Sequence, residues 1–251
     1  MKEFSSGGVR IAYIDAAPEG EPIVLIHGFA SNHAVNWVFP RWVKTLTAAG
    51  RRVIAFDNRG HGRSEKLYRS EMYAIPRMAE DVRHLLDHLG IAKADVMGYS
   101  LGVRIAAVLA LSHPERVRSL VLGGMGDRLV LSAGLGPRVA EAMEAPSASA
   151  LKDESGKMFR LFAEATRSDL KALAACSRGA RLQLGAAELG RIEMPVLVAV
   201  GTKDHLAGDP QRLAARFPKG RGLAILDRDH NRSVGDAAFK KAVLGFLERR
   251  P

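Results

Sequence analysis

Three short runs of this 251-residue chain are apolar without interruption, at residues 23–26, 53–56 and 196–200. Such runs suit strands buried on both faces, as in a parallel sheet. Residues 94–97 and 117–122 read as two further strands, 222–226 as a last one, and 9–14 as an alternating, half-exposed strand near the sheet edge. Helical patterns separate them. Ile75, Met78, Ala79, Val82, Leu85, Leu86 and Leu89 share one face, and Trp42, Leu46 and Ala49 share another. Gly50 and Gly90 stand where those helices should stop. Strands alternating with helices predict an α/β fold with a doubly wound, mostly parallel sheet.

The texture changes between Arg128 and Arg191, where small residues and helical fragments replace strands. Fragments are expected at residues 137–144, 157–165, 169–175 and 180–189. The expected organisation is a core of residues 1–127 and 191–251 with a helical insertion at 128–190.

Functional residues of such sheets gather on loops beyond the carboxyl ends of the strands. His27-Gly28-Phe29, Asp57, Ser100, Asp127, Asp204 and His230 all follow expected strands, so they should converge on one rim. The strongest signal is Gly98-Tyr99-Ser100-Leu101-Gly102, between an expected strand and an apolar, helix-compatible run. Gly-x-Ser-x-Gly between strand and helix is a nucleophile elbow, whose sharp turn leaves no room for side chains at the flanking glycines.

A serine hydroxyl needs a base, and the base needs an orienting acid. His230, in a polar loop after the last strand, is the expected base. Asp204 lies between serine and histidine in chain order and is the expected acid, with Asp127 as the alternative. The N–H groups of Phe29 and Leu101 are the expected oxyanion donors. Asp57 more simply braces its own glycine-rich loop. His33 and His61 lie in rim loops and could line the site; His205 adjoins Asp204.

Composition narrows the alternatives. A single cysteine, Cys176, excludes an internal disulfide framework and a cysteine-based zinc site. The net charge of +10 invites an anionic partner, but the basic residues are scattered and not interleaved with aromatics. A solvated basic surface is expected, with no nucleic-acid partner. No run approaches the roughly 18 apolar residues of a membrane span, and the cytoplasm is the default location.

These residues resemble the α/β-hydrolase superfamily, in its branch with a small cap. The likeness rests on His27-Gly28-Phe29, on Asp57-Asn58-Arg59-Gly60-His61-Gly62-Arg63-Ser64, on the Ser100 pentapeptide, on Gly201-Thr202-Lys203-Asp204 and on His230. It implies an eight-stranded sheet, a Ser100–His230–Asp204 triad, a cap inserted after the sixth strand, and hydrolysis through an acyl-enzyme with neither cofactor nor metal. Asp229 stands where members often have glycine before the histidine. Serine at the elbow argues against the dehalogenases and epoxide hydrolases of this fold, which use aspartate.

The expected function is therefore hydrolysis of small-molecule carboxylic esters with apolar acyl groups. The same triad would serve a lactonase or a carbon–carbon bond hydrolase of ring-cleavage products. A slow-turnover small-molecule receptor is the alternative from another class. Trp37, Phe39, Met125, Leu129, Met158, Phe159 and Phe162 are the expected pocket residues.

Overall fold

A computed structural model describes residues 1–250. The strands are β1 Lys2–Ser6, β2 Val9–Ala16, β3 Glu21–Ile26, β4 Arg51–Phe56, β5 Ala94–Tyr99, β6 Val117–Gly123, β7 Val196–Gly201 and β8 Gly220–Ile225. They form one 8-stranded sheet in the order β1-β2-β4-β3-β5-β6-β7-β8. Only β2 runs against its neighbours; from β4 to β8 every pairing is parallel. The α/β doubly wound reading holds. Strand β1 carried no sequence signal, because only Phe4 and Ser6 of its five residues turn inward.

The central strands bury both faces because successive side chains point to opposite sides. Val24, Ile26, Ile54, Phe56 and Val96 enter one core. Ile23, Leu25, Val53, Ala55 and Met97 enter the other. Helices α1 Trp42–Ala48, α2 Ile75–His88 and α3 Leu101–Ser112 connect the strands. Helices α2 and α3 cover the first core and α1 the second.

After β6 the chain leaves the sheet for α4 Arg128–Leu131, α5 Pro137–Glu144, α6 Glu154–Ala165, α7 Leu170–Gly179 and α8 Ala186–Leu189. Asp153 and Asp169 start α6 and α7 by accepting the N–H of Gly156 at 2.7 Å and of Ala172 at 2.9 Å. The helix expected over 180–189 is shorter. Leu182 instead pairs its N–H with the Ala133 carbonyl at 2.7 Å and its carbonyl with Arg104 at 2.7 Å, which holds the preceding stretch as a loop. Three helices complete the chain: α9 Pro210–Ala214, α10 His230–Ser233 and α11 Ala237–Arg249, the last packed into the second core. Among the described residues no helix is long and apolar enough to cross a membrane.

Candidate active site

Strand β5 ends in a turn that only its glycines allow. Ser100 sits at φ 53°, ψ −112°, in the left-handed range that side-chain-bearing residues rarely adopt. A Cβ on Gly98 would lie 2.3 Å from the Gly102 carbonyl oxygen, and one on Gly102 2.1 Å from that of Ile26. The turn is fixed from outside as well, by the Ser100 N–H donating to the Gly123 carbonyl at 2.9 Å. Ser100 therefore projects, half-buried, from the carboxyl edge of the sheet. As the first helical residue, Leu101 has no intrahelical acceptor for its N–H.

The loop after β3 comes alongside. A Cβ on Gly28 would stand 3.3 Å from the Ser100 Cβ. The Gly28 N–H donates to Asn36 Oδ1 at 2.9 Å, and that of Phe29 donates to no acceptor among the described residues. Asn36 belongs to a π-helical turn, Ala34–Val38, an insertion that sequence periodicity does not announce.

Two wholly buried imidazoles support this loop. Burial pushes His27 down to about 4, so its ring is neutral near pH 7. Its Nε2 accepts the Asn58 N–H at 2.9 Å, which leaves the proton on Nδ1, 2.7 Å from the Gly28 carbonyl oxygen. Burial likewise holds His61 at about 3; its ring lies edge-on to those of His27 and Phe29. Burial would raise the Asp57 carboxyl, but hydrogen bonds from His33 and from the Arg63 and His33 N–H groups outweigh it and hold the group at about 2. His33 and His61 thus serve the loop and line neither cavity described below.

His230 begins α10, beyond β8. Its Nδ1 lies 2.7 Å from Asp204 Oδ2, and the Asp204 carboxylate is fully enclosed. The second Asp204 oxygen accepts the Leu206 N–H at 3.0 Å. Asp127 is engaged elsewhere, accepting the Asp209 N–H at 2.8 Å. Asp229 caps α10, taking the N–H groups of Asn231 at 3.0 Å and Arg232 at 2.8 Å. Ser100 and His230 line the same two cavities but share no hydrogen bond among the described residues.

The first cavity, about 240 Å³, is lined by Val35, Pro40, Met158, Phe159, Phe162 and Val234, with Ser31, Asn36, Tyr99 and Asn231 as polar side chains beside Ser100 and His230. The second, about 290 Å³, is bounded by Met125, Arg104, Arg128, Leu135, Val139 and His205. Phe29 and Phe159 border both, ring to ring at 6.0 Å.

Met125, Met158, Phe159 and Phe162 therefore face the site, whereas Trp37, Phe39 and Leu129 do not. The π-helical turn sends Trp37 into the second core, edge-on to Trp42 at 6.5 Å, and leaves Phe39 outside, 74% exposed. Leu129, on the inward side of α4, is enclosed in the first core. Asn36 and Asn231 were not anticipated, for polar loop residues carry no periodic signal. Arg104 was hidden inside an apolar helix.

The fold and the serine turn define an α/β hydrolase, and the sequence relationships agree. The α/β hydrolase fold family profile matches residues 21–132. The chain is 33% identical to the dihydrolipoyllysine-residue acetyltransferase component of the acetoin cleaving system of Pseudomonas putida, over 97% of this chain and 68% of that protein. It is 34% identical to RutD of Variovorax paradoxus, named as a candidate carbamate hydrolase, over 92% of this chain and 93% of that one. The crystal structure of a hydrolase from Pseudomonas aeruginosa superposes with a TM-score of 0.77 at 26% identity, covering 98% of this chain and 97% of that chain. The protein belongs to the α/β-hydrolase superfamily.

Proposed function

We propose that the protein is a serine hydrolase of carboxylic esters, working through an acyl-enzyme on Ser100. The observation that carries this is the 2.7 Å contact between His230 and an enclosed Asp204, beside a serine held on a strained turn. Asp204 keeps the His230 proton on Nδ1 and leaves Nε2 free to accept from Ser100. As Ser100 Oγ bonds to the acyl carbon, its proton passes to His230, which returns it to the leaving alcohol. A water then loses a proton to His230 and attacks the acyl carbon, and His230 returns that proton to Ser100 Oγ as its bond to the acyl carbon breaks, freeing the acid and Ser100. The N–H groups of Leu101 and Phe29 receive the oxyanion in both steps; one such donor is worth ~10²–10³ in kcat.

The helices between β6 and β7 act as a cap in this reading. Helix α6 brings Met158, Phe159 and Phe162 over the first cavity, and Thr166, just past its end, donates to the Ala30 carbonyl at 2.8 Å. The apolar lining suits a short hydrocarbon chain. A chain with one cysteine also suits a reducing compartment, and we assign the enzyme to the cytoplasm. The test is turnover of p-nitrophenyl acetate and butyrate. Wild type should hydrolyse both and Ser100→Ala neither. Equal rates in the two proteins, or none in wild type, would remove the proposal.

A further inference from the structure

The two cavities that meet at Ser100 and His230 differ in charge. No lysine, arginine or carboxylate lines the first. The second is lined by Arg104, Arg128 and His205 and by no carboxylate. Neither arginine has an acidic partner among the described residues. Arg104, 2% exposed, donates only to neutral oxygens: the carbonyls of Leu129 at 3.2 Å, Leu182 at 2.7 Å, Arg128 at 3.3 Å and Ser132 at 2.7 Å, and Ser132 Oγ at 3.1 Å. Burial, and then the charge of Arg181, push its guanidinium down to about 10. Arg128 stands exposed at the rim with no carboxylate within 4.0 Å among the described residues. The three aspartates of the adjoining loops are committed, Asp127 to the Asp209 N–H, Asp204 to His230 and Asp209 to the Arg212 N–H.

A buried cation without a counter-charge is costly, and its field is poorly screened. Arginine's planar fork matches a carboxylate. Building on the hydrolytic reading, we propose that the second cavity seats a carboxylate of the substrate. The substrate class is then an ester with an apolar group on one side of the scissile carbonyl and a carboxylate on the other. The hydrocarbon lies under α6, and the carboxylate meets Arg128 at the rim in the field of Arg104.

Monobutyl adipate and butyl 6-oxoheptanoate test this, since an acetyl group there replaces a carboxylate of similar shape. Wild type should favour the half-ester by tenfold or more in kcat/KM for butanol release. Arg128→Ala should lower that ratio at least tenfold, and raising the salt concentration should lower it in wild type. No preference in wild type, or a ratio unmoved by Arg128→Ala, overturns the proposal. Calorimetric titration of Ser100→Ala with each ester provides a readout independent of turnover. The half-ester should bind at least tenfold more tightly, and equal or weaker binding overturns the carboxylate seat. If wild type cleaves neither these esters nor p-nitrophenyl butyrate, yet the half-ester binds preferentially, the hydrolytic reading fails and the seat stands.

Discussion

Tyr99 Oη donates to the main-chain carbonyl of His230 at 2.5 Å, so the residue preceding the serine holds the residue that bears the imidazole. The two rings also lie together, with centroids 5.4 Å apart. Tyr99→Phe keeps the ring and removes the hydrogen bond. A lost bond that leaves a buried acceptor unpaired costs ~1–3 kcal/mol. If about half of that falls on the transition state, kcat on p-nitrophenyl butyrate drops by about fivefold while KM stays within about twofold. Unchanged kcat would show that His230 is held by α10 alone.

Asp204→Asn should be far more severe. An amide cannot serve as the charged acceptor for the proton of His230 Nδ1, the atom that lies 2.7 Å from Asp204 Oδ2. A loss of ~10⁴ in kcat is expected, as for other triads whose acid is amidated. Asp127→Asn should retain most of the activity, since that carboxylate serves the Asp209 N–H. The reverse ranking in steady-state assays would reassign the acid.

Two glycines should tolerate no methyl group. Gly98→Ala and Gly102→Ala drive a Cβ to 2.3 Å and 2.1 Å from main-chain oxygens. Overpacking against yielding side chains costs ~1–3 kcal/mol, and backbone yields less. Both variants should lose at least about 3 kcal/mol in urea unfolding. Gly136→Ala, with nothing within 4 Å of the new Cβ, should stay within about 0.5 kcal/mol of wild type.

Acid should weaken the fold before it protonates the carboxylates. His27 and His61, ordinarily near 6.5, are held at about 4 and about 3 by burial. Between pH 6.5 and about 4 the unfolded chain binds protons that the folded chain refuses. Stability therefore falls as pH drops through that window, by up to about 1.4 kcal/mol per pH unit for each ring. The Asp57 carboxyl, at about 2 against an ordinary 3.8, adds stability above pH 3.8 that is lost as pH falls toward 2. Urea midpoints at pH 7, 6, 5 and 4.5 should decline steadily below pH 6.5. A flat profile down to pH 5 would mean that the two rings open to solvent.

The parts of the chain that were legible in sequence are those where one physical demand dominates. Burial on both faces writes itself as continuous apolar runs, so β3, β4 and β7 were readable. The serine turn was readable because close backbone approach admits only glycine at 98 and 102. The pocket was read less well. Trp37 and Phe39 looked like lining residues, but a one-residue π-type expansion at Ala34–Val38 changed which side chains face the cavity. The charge of the second cavity was also hidden, because Arg104 sits among apolar residues of α3 and meets its oxygens through residues 128–132 and 182. That is a tertiary fact without a local signature.

The central claim is that Ser100 carries the acyl group, and active-site labelling tests it most directly. Wild-type protein treated with a fluorophosphonate should gain one adduct, mapped by peptide mass spectrometry to Ser100, with activity lost in step. Asp204→Asn should label far more slowly and Ser100→Ala not at all. An adduct on another residue, or full activity after stoichiometric labelling of Ser100, would contradict the account.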